Sequence, residues 1–322
     1  MFTLLLACTT VAPSHSLEPD GADPSAPPIS ETPDSTADPE PNAEPDPTEP
    51  TPPEPEPEPA PACSLGAHDL HFTLEVQHGG RTRTALVDLP ATYDGTEALP
   101  TALNFHGLLM NAGLQRSYTH FDEAANDRGM IAVHPNGLNS TWDVTPWTSD
   151  VGFVDALLDA LAAEVCVDPD RTYATGLSMG GYFSYTLGCQ LPGRFAAIAP
   201  VAGLDANVLC NPGPDMPLLH LHGTADFIVP YGGSFPSPSA PAGVDRWARQ
   251  VNGCDTEPVV TFEDGEVTCE TWSCGGPEAT LCTIQGGGHL WPGANPIPLF
   301  SDWNDALDAN TEILDFFEDY TR

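Results

Sequence analysis

Apolar positions along this chain fall into short alternating or continuous runs, separated by stretches in which they recur with the three-to-four spacing of a helix face. Leu70 to Val76 alternates, and Thr82 to Leu89 follows after Gly79-Gly80, which predicts an antiparallel pair at the start of a domain. Thr101 to Phe105 is a short buried-type strand ending at His106-Gly107, and Met130 to Val133 is another that stops at His134-Pro135-Asn136-Gly137. A helix is predicted over Phe121 to Arg128 between them. Val151 to Val165 carries Val154, Leu157, Leu158 and Leu161 on one helix face. Arg171 to Thr175, Ala196 to Val201, Leu218 to His222 and Leu281 to Ile284 read as further strands. Helices are predicted over Gly181 to Leu191, over Val244 to Val251, and after Asp308 as N-cap through Ile313, Leu314, Phe316 and Phe317. Strands alternating with helices predict an α/β domain with a mostly parallel central sheet flanked by helices.

The first sixty residues are built differently. Seventeen prolines lie between Pro13 and Pro61 and thirteen acidic residues between Glu18 and Glu58, with no Lys or Arg before Arg81. Such a segment lacks the apolar surface to offset chain entropy, so residues 9–62 are expected to be a disordered, self-repelling tether. Ahead of it, Met1 to Cys8 is an apolar run ending in Leu-Leu-Ala-Cys, which resembles a bacterial lipoprotein signal. That resemblance implies a signal over residues 1–8, lipidation at Cys8, an extracellular or outer-surface location, and membrane contact only through the anchor. Residues 63–322 are long enough for one large domain with a substantial core.

Charge and cysteine content narrow the picture further. All nine basic residues are arginines; thirteen of the forty-six acidic residues lie in the tether, leaving thirty-three against those nine in the rest of the chain. A surface this acidic repels nucleic acid, which is not expected as a partner; a monomer is expected. Beyond Cys8 there are eight cysteines, at 63, 166, 189, 210, 254, 269, 274 and 282, with no C-x-x-C pair. An even number without metal-type spacing predicts disulfides and an oxidising compartment. The close set Cys254, Cys269, Cys274 and Cys282 is expected to staple one local excursion of the chain.

The chemistry is carried by Gly176-Leu177-Ser178-Met179-Gly180, set between a predicted strand and a predicted helix. A G-x-S-x-G in that context is a nucleophile elbow, the strained turn that lifts a serine hydroxyl into a cleft. A hydroxyl needs a base, and the base an orienting carboxylate. Asp226 follows the strand Leu218 to His222, with Asp205 as a rival acid, and His289 follows Gly286-Gly287-Gly288 after the strand Leu281 to Ile284. Nucleophile, acid, histidine is the chain order of an α/β-hydrolase, with each residue just beyond a strand end. Oxyanion donors are expected at the backbone N–H groups of Met179 and Leu108, with His106 structural in that turn. Trp142, Trp147, Phe227, Tyr231 and Trp291 are candidates to line a substrate pocket. No cofactor is expected. Two other readings compete: a tethered, non-catalytic hydrolase-fold binding protein, and a metal-dependent hydrolase using His220 and His222. For that histidine pair, support of the acid loop is the plainer role.

The resemblance that these segments carry is specific. Asp150-Val151-Gly152-Phe153, Val167 through Gly181, Arg194 through Gly203, His222-Gly223-Thr224-Ala225-Asp226 with Val229-Pro230-Tyr231, Asn252-Gly253-Cys254, and Gly286 through Gly293 resemble the secreted polyhydroxybutyrate depolymerase and feruloyl esterase group of α/β-hydrolases. The similarity covers roughly residues 70 to 320. It implies Ser178 as nucleophile, Asp226 as acid and His289 as base in a serine esterase, acting on feruloyl or acetyl esters of polysaccharide or on hydroxyalkanoate oligomers. It also implies a bridge from Cys254 to a cysteine just ahead of the histidine strand, so the expected pairs are Cys254 with Cys274 and Cys269 with Cys282. Cys189 with Cys210 and Cys63 with Cys166 complete the set. Leu108-Leu109-Met110 departs from the small or polar residues that often follow the His-Gly turn in this group, which preserves the backbone donors but changes the acyl side of the site.

Overall fold

The computed structural model describes residues 63–145, 148–205, 210, 215–235, 237–294 and 306–322. The signal and Cys8, the tether over residues 9–62, and Trp147 lie outside these described residues. Among the described residues one sheet contains β1 (His71–His78), β2 (Arg81–Asp88), β3 (Leu99–Phe105), β4 (Ile131–Pro135), β5 (Val167–Leu177), β6 (Ala197–Val201), β7 (Leu218–Gly223), β8 (Val259–Asp264), β9 (Val267–Trp272) and β10 (Ala279–Ile284). Their order is β1-β2-β4-β3-β5-β6-β7-β10-β9-β8. From β4 to β10 the strands run parallel, and antiparallel pairs finish both sides. The helices are α1 (Ala112–Thr119), α2 (Phe121–Asp127), α3 (Ser149–Glu164), α4 (Met179–Gln190), α5 (Ala240–Arg246) and α6 (Ala309–Glu318).

The strand pleat sorts side chains to two faces, and each face has its own core. Leu103, Phe105, Ala174, Ile198 and Leu218 pack with Val154, Leu157, Phe183, Leu187 and Trp247. Their neighbours Ala102, Tyr173, Ala197, Leu219 and Leu221 pack on the opposite side with Phe121, Ile313, Leu314 and Phe317. The central strands are buried on both faces, which is why they read as continuous apolar runs. This is the mostly parallel α/β-hydrolase sheet, with helices on both sides.

Several elements depart from their predicted bounds. β5 begins at Val167, because Val167 pairs with Leu99 before a register shift leads to the pairing of Thr101 with Thr172. The predicted helix Val244 to Val251 is two pieces: α5, N-capped by Ser239, and a wider π-type turn over Trp247–Val251. α1 carries no apolar stripe to announce it; its buried residues include Gln115 and Thr119, and Leu114 is exposed. Its start is fixed by Asn111, whose side chain accepts the Leu114 N–H at 2.9 Å. The β8–β9 hairpin was also missed. Every residue of β8 is exposed, so alternation holds no core signal there; the turn itself is Gly265-Glu266, between the paired residues Asp264 and Val267.

Four disulfides join Cys63 to Cys166, Cys189 to Cys210, Cys254 to Cys274 and Cys269 to Cys282. The last links directly opposed residues of β9 and β10, and β10 leads into the His289 loop. The C-terminal end is tied down as well: Arg322 donates to Asp170, and Tyr173 to the backbone oxygen of Tyr320.

His134 on β4 is an uncommon core residue. It is completely buried, and neither ring nitrogen has a hydrogen-bond partner among the described residues. Burial pushes its pKa down from 6.5 to about 4, with Asp122 opposing the shift and Arg116 adding to it. The native state therefore binds fewer protons than the unfolded chain between those values. The stabilising contribution is fully present above pH 6.5 and is lost as pH falls toward 4. A shift of that size corresponds to about 3 kcal/mol. Urea unfolding at pH 7 and pH 4 should show wild type losing about 3 kcal/mol more than His134→Leu over that interval. Equal losses in the two proteins would contradict this.

Candidate active site

The site is assembled at the carboxyl ends of the parallel strands. β5 ends at Leu177, and Ser178 then takes φ 58° and ψ −116°, outside the regions open to ordinary residues. The turn survives because its neighbours have no Cβ. A methyl at Gly180 would sit 2.0 Å from the Phe105 backbone oxygen, at Gly176 2.6 Å from the same atom, and at Gly181 2.8 Å from the Val201 oxygen. A fourth glycine, Gly203 after β6, faces the Ser178 carbonyl oxygen, where a Cβ would lie 2.6 Å away. Ser178 N–H donates to Val201 O at 2.9 Å, and its carbonyl accepts the Tyr182 N–H at 3.0 Å. The elbow is thus locked from both sides, with the serine itself partly exposed.

Met179 is the first residue of α4, where a helix leaves its N–H unpaired and the helix dipole is positive. Across from it, the turn after β3 holds Leu108, and neither backbone N–H has a backbone acceptor among the described residues. Gly107 brings this turn against the elbow: its Cβ would be 3.5 Å from Ser178 Cβ. His106 braces the turn. Its Nε2 accepts the Gly137 N–H at 2.9 Å, so Nδ1 carries the proton and donates to Gly107 O at 2.8 Å. Burial lowers the His106 pKa, in keeping with that neutral form. Leu109 takes φ 63° and donates its N–H to Ser140 O.

Asp226 and His289 meet on the loops after β7 and β10. His289 Nδ1–H donates to Asp226 Oδ2 at 2.7 Å, and both residues are buried. Asp226 Oδ1 accepts the N–H groups of Ile228 and Val229 at 2.9 and 2.8 Å. Burial works against ionisation of this carboxyl, but donors from His222, His289 and Val229 and the charge of His289 outweigh it, holding its pKa below the usual carboxylate range. Asp205, the rival acid, is engaged elsewhere: its carboxylate forms an ion pair with Arg246.

Of the glycines before His289, Gly286 takes a left-handed φ of 75° and Gly287 permits close approach. A Cβ at Gly223 would lie 2.1 Å from Gly287 O, and one at Gly287 would lie 2.9 Å from Ile284 Cγ2. Ala225 N–H donates to Gly287 O and Gly286 N–H to Thr224 Oγ1. The acid and base loops are therefore joined directly to each other. Behind them, Trp291 N–H donates to Tyr118 Oη, Trp291 Nε1–H to Asn310 Oδ1, and Asn310 in turn to Thr119 O. Tyr118 and Asn310 were not singled out in the sequence, because a single polar residue on a helix gives no periodic signal.

The pocket candidates divide. Trp142 and Trp291 are 3% and 1% exposed, so neither is a pocket wall. Trp142 stacks on Phe183 at 4.8 Å and donates its Nε1–H to His106 O, bracing the turn after β3. Phe227, 68% exposed, and the partly buried Tyr231 remain on the rim. His220 and His222 are fully buried, and their nitrogens bond to each other, to Tyr185 and to Val229 O. That arrangement turns their lone pairs away from any shared ligand. Among the described residues no three His, Cys, Asp or Glu side chains are grouped to hold a metal ion.

Known proteins similar to this chain are esterases. A family model described as "Esterase: Putative esterase" matches residues 77–251. The chain is 33% identical over 230 residues to "Feruloyl esterase B" of Piromyces equi, covering 64% of this chain and 42% of that protein. It is 34% identical over 134 residues to "Bifunctional acetylxylan esterase/xylanase XynS20E" of Neocallimastix patriciarum, covering 41% of this chain and 20% of that one. The matches thus span less than half the length of either relative. Among solved structures, "Acetyl xylan esterase from Aspergillus awamori" superposes with a TM-score of 0.59 at 13% identity, over 77% of this chain and 99% of that one, a likeness of fold. With the family match reaching from β1 through the elbow to the turn after α5, the chain belongs to this esterase family, in the feruloyl esterase-like group of α/β-hydrolases.

Proposed function

We propose that this protein is an extracellular serine carboxylic-ester hydrolase that works through an acyl-enzyme, with feruloyl esters of polysaccharide as its substrate class. The observation that carries the reading is the 2.7 Å bond from His289 Nδ1 to Asp226 Oδ2, at strand ends on the same edge of the sheet as the Ser178 elbow. With Nδ1 carrying the proton, Nε2 is the basic nitrogen. His289 Nε2 takes the Ser178 hydroxyl proton as Oγ attacks the ester carbonyl, and Asp226 stabilises the imidazolium that results. The N–H groups of Leu108 and Met179 receive the oxyanion. Collapse of the tetrahedral intermediate breaks the bond to the alcohol, which leaves with the proton from His289. Water then attacks the acyl-enzyme, His289 accepts its proton, and the acid departs from a regenerated Ser178.

Preference for an aryl acyl group rests on the rim. Leu108 beside the oxyanion turn, and Phe227 and Ile228 directly after the acid, are large apolar side chains 48%, 68% and 44% exposed. An acetyl group has too little surface to use them, whereas a planar phenylpropenoyl group covers them. Four disulfides support an oxidising, extracellular setting. Within that setting, residues 1–8 act as a lipoprotein signal, Cys8 as the lipid anchor and residues 9–62 as a tether for a monomeric domain over 63–322.

A fluorophosphonate probe should label wild type at Ser178 and leave Ser178→Ala unlabelled, with kcat of the variant down about 10⁴-fold. Labelling that persists in the variant would overturn the nucleophile. Asp226→Asn should be strongly impaired and Asp205→Asn nearly normal in kcat, and the double variant Asp226→Asn/His289→Ala should be little worse than His289→Ala, because the relay acts as a unit. Inactive Asp205→Asn beside active Asp226→Asn would reassign the acid. In a comparison of kcat/KM, methyl ferulate should exceed acetylated xylan and hydroxybutyrate oligomers by about 10-fold or more. Preference for either of the others would replace the feruloyl assignment with that ester.

A further inference from the structure

Tyr185, His220 and His222 lie outside the triad, yet each is only 1% exposed. Tyr185 stands on α4, the helix that begins at the nucleophile, and the two histidines lie on the same face of β7 at alternate positions. Tyr185 Oη is 2.7 Å from His220 Nδ1, and His220 Nε2 is 3.0 Å from His222 Nδ1. His222 Nε2 is 2.9 Å from Val229 O and 3.4 Å from Asp226 Oδ2. Three buried side chains in series thus connect the nucleophile's helix to the loop that carries the acid.

The proton on each atom follows from its neighbours. A carbonyl and a carboxylate only accept, so His222 Nε2 bears hydrogen. If that N–H is the only one on the ring, His222 Nδ1 is a bare acceptor and receives the hydrogen of His220 Nε2. His220 Nδ1 is then bare in turn, and Tyr185 donates. Burial holds His220 well below its ordinary pKa, so that ring is neutral. Burial, reinforced by Asp205 and opposed by Arg246, holds Tyr185 well above its own. All three dipoles therefore point the same way, toward Asp226, and dipoles aligned in a dry interior polarise one another.

We propose that Tyr185, His220 and His222 form a one-way hydrogen-bond chain that fixes the Asp226–Val229 loop, and that His222 is a positioning residue for the acid. This rests on the assignment of Asp226 and His289 as acid and base. His222 Nε2–H donates to the Val229 carbonyl and lies 3.4 Å from the Asp226 carboxylate. It holds Oδ2 on the line to His289 Nδ1 while the backbone donors of Ile228 and Val229 hold Oδ1. The histidine pair that resembles a metal site in the sequence is a proton-ordered strut.

The test combines side-chain nitrogen NMR with kinetics on the full-length protein. At pH 7 the spectra should show hydrogen on Nε2 of both His220 and His222, and His220 should not titrate between pH 5 and 8.5, with assignments made from the variants. Hydrogen on Nδ1 of either ring would overturn the chain. His222→Leu should lower kcat on methyl ferulate about 10-fold at unchanged KM, and His222→Gln, which retains an N–H, should recover most of it. A folded His222→Leu within about twofold of wild-type kcat would also overturn it. If that variant does not fold, Tyr185→Phe decides, since it keeps the ring beside Trp247 and removes only the donor. It should shift the His220 Nδ1 resonance and lower kcat without changing KM, and an unmoved resonance refutes the chain. Failure of the triad reading is distinguishable: Ser178→Ala would then stay active while the tautomers remained as stated.

Discussion

A serine at φ 58° is the constraint around which the rest of this molecule is arranged. A non-glycine residue in that region costs on the order of 1–3 kcal/mol and persists only where its surroundings over-determine it. Here they do so by contact: Gly176, Gly180, Gly181 and Gly203 let the backbones of β3, β6 and α4 close to distances that a methyl group would forbid. The same logic extends along the sheet edge. Leu109 after β3, Asn139 and Ser140 after β4, Ser178 after β5 and Ala202 after β6 all have positive φ. Four successive strands thus end in a non-glycine residue in the left-handed region. The parallel sheet supplies rigid strand ends, and the strain they carry is spent on turning side chains and N–H groups toward a common edge.

The acid and base are held by a different means. They are buried rather than strained, and burial of a carboxylate is tolerable only if every lone pair finds a donor. Asp226 has donors on both oxygens, and the loops that carry it and His289 are bonded to one another through Ala225, Gly287, Thr224 and Gly286. A displacement of one loop moves the other with it, so the 2.7 Å bond survives loop motion that would separate two independent loops. The core accordingly contains polar groups where a purely structural domain would place aliphatic ones. His106, His220, His222, Asn104 and Gln115 are all buried, and each lies behind one of the turns that make the site.

What the sequence disclosed follows from the kind of force involved. Strands buried on both faces announce themselves as apolar runs, so the central sheet, its parallel sense and the strand-end positions of Ser178, Asp226 and His289 were legible. The elbow was legible because its steric demand is met by glycines, which are visible as letters. Polar packing was not. α1 is held by an Asn cap and by the Gln115–Asn104 bond, and β8 by strand pairing and the Thr261–Thr271 hydroxyl bond, so neither has periodic hydrophobicity. Trp142 and Trp291 were misjudged for a related reason. Lying between regular elements they resemble pocket linings, but an indole with its N–H bonded to His106 O or Asn310 Oδ1 satisfies its one polar atom inside the core and needs no exposed edge. The two histidines of β7 were visible as a pair, but only coordinates reveal which nitrogen faces which.

On the proposed reading, the reacting groups and the apolar rim occupy physically separate parts of this site. Ser178, Asp226 and His289 are fixed by backbone close approach and buried hydrogen bonds, so most changes near them meet a steric clash or strand a polar group. Leu108, Phe227 and Ile228 are attached to the same turns, yet their side chains are largely in solvent and contribute little to the core. A substitution there removes surface offered to an acyl group without opening a cavity or breaking a bond. If the proposed roles hold, one scaffold can exchange one ester for another by altering rim side chains, while Ser178, Asp226 and His289 stay where the sheet places them. Leu109 marks the boundary between the two regimes: its backbone is held at positive φ by Ser140, while its side chain, 80% exposed, is free to vary.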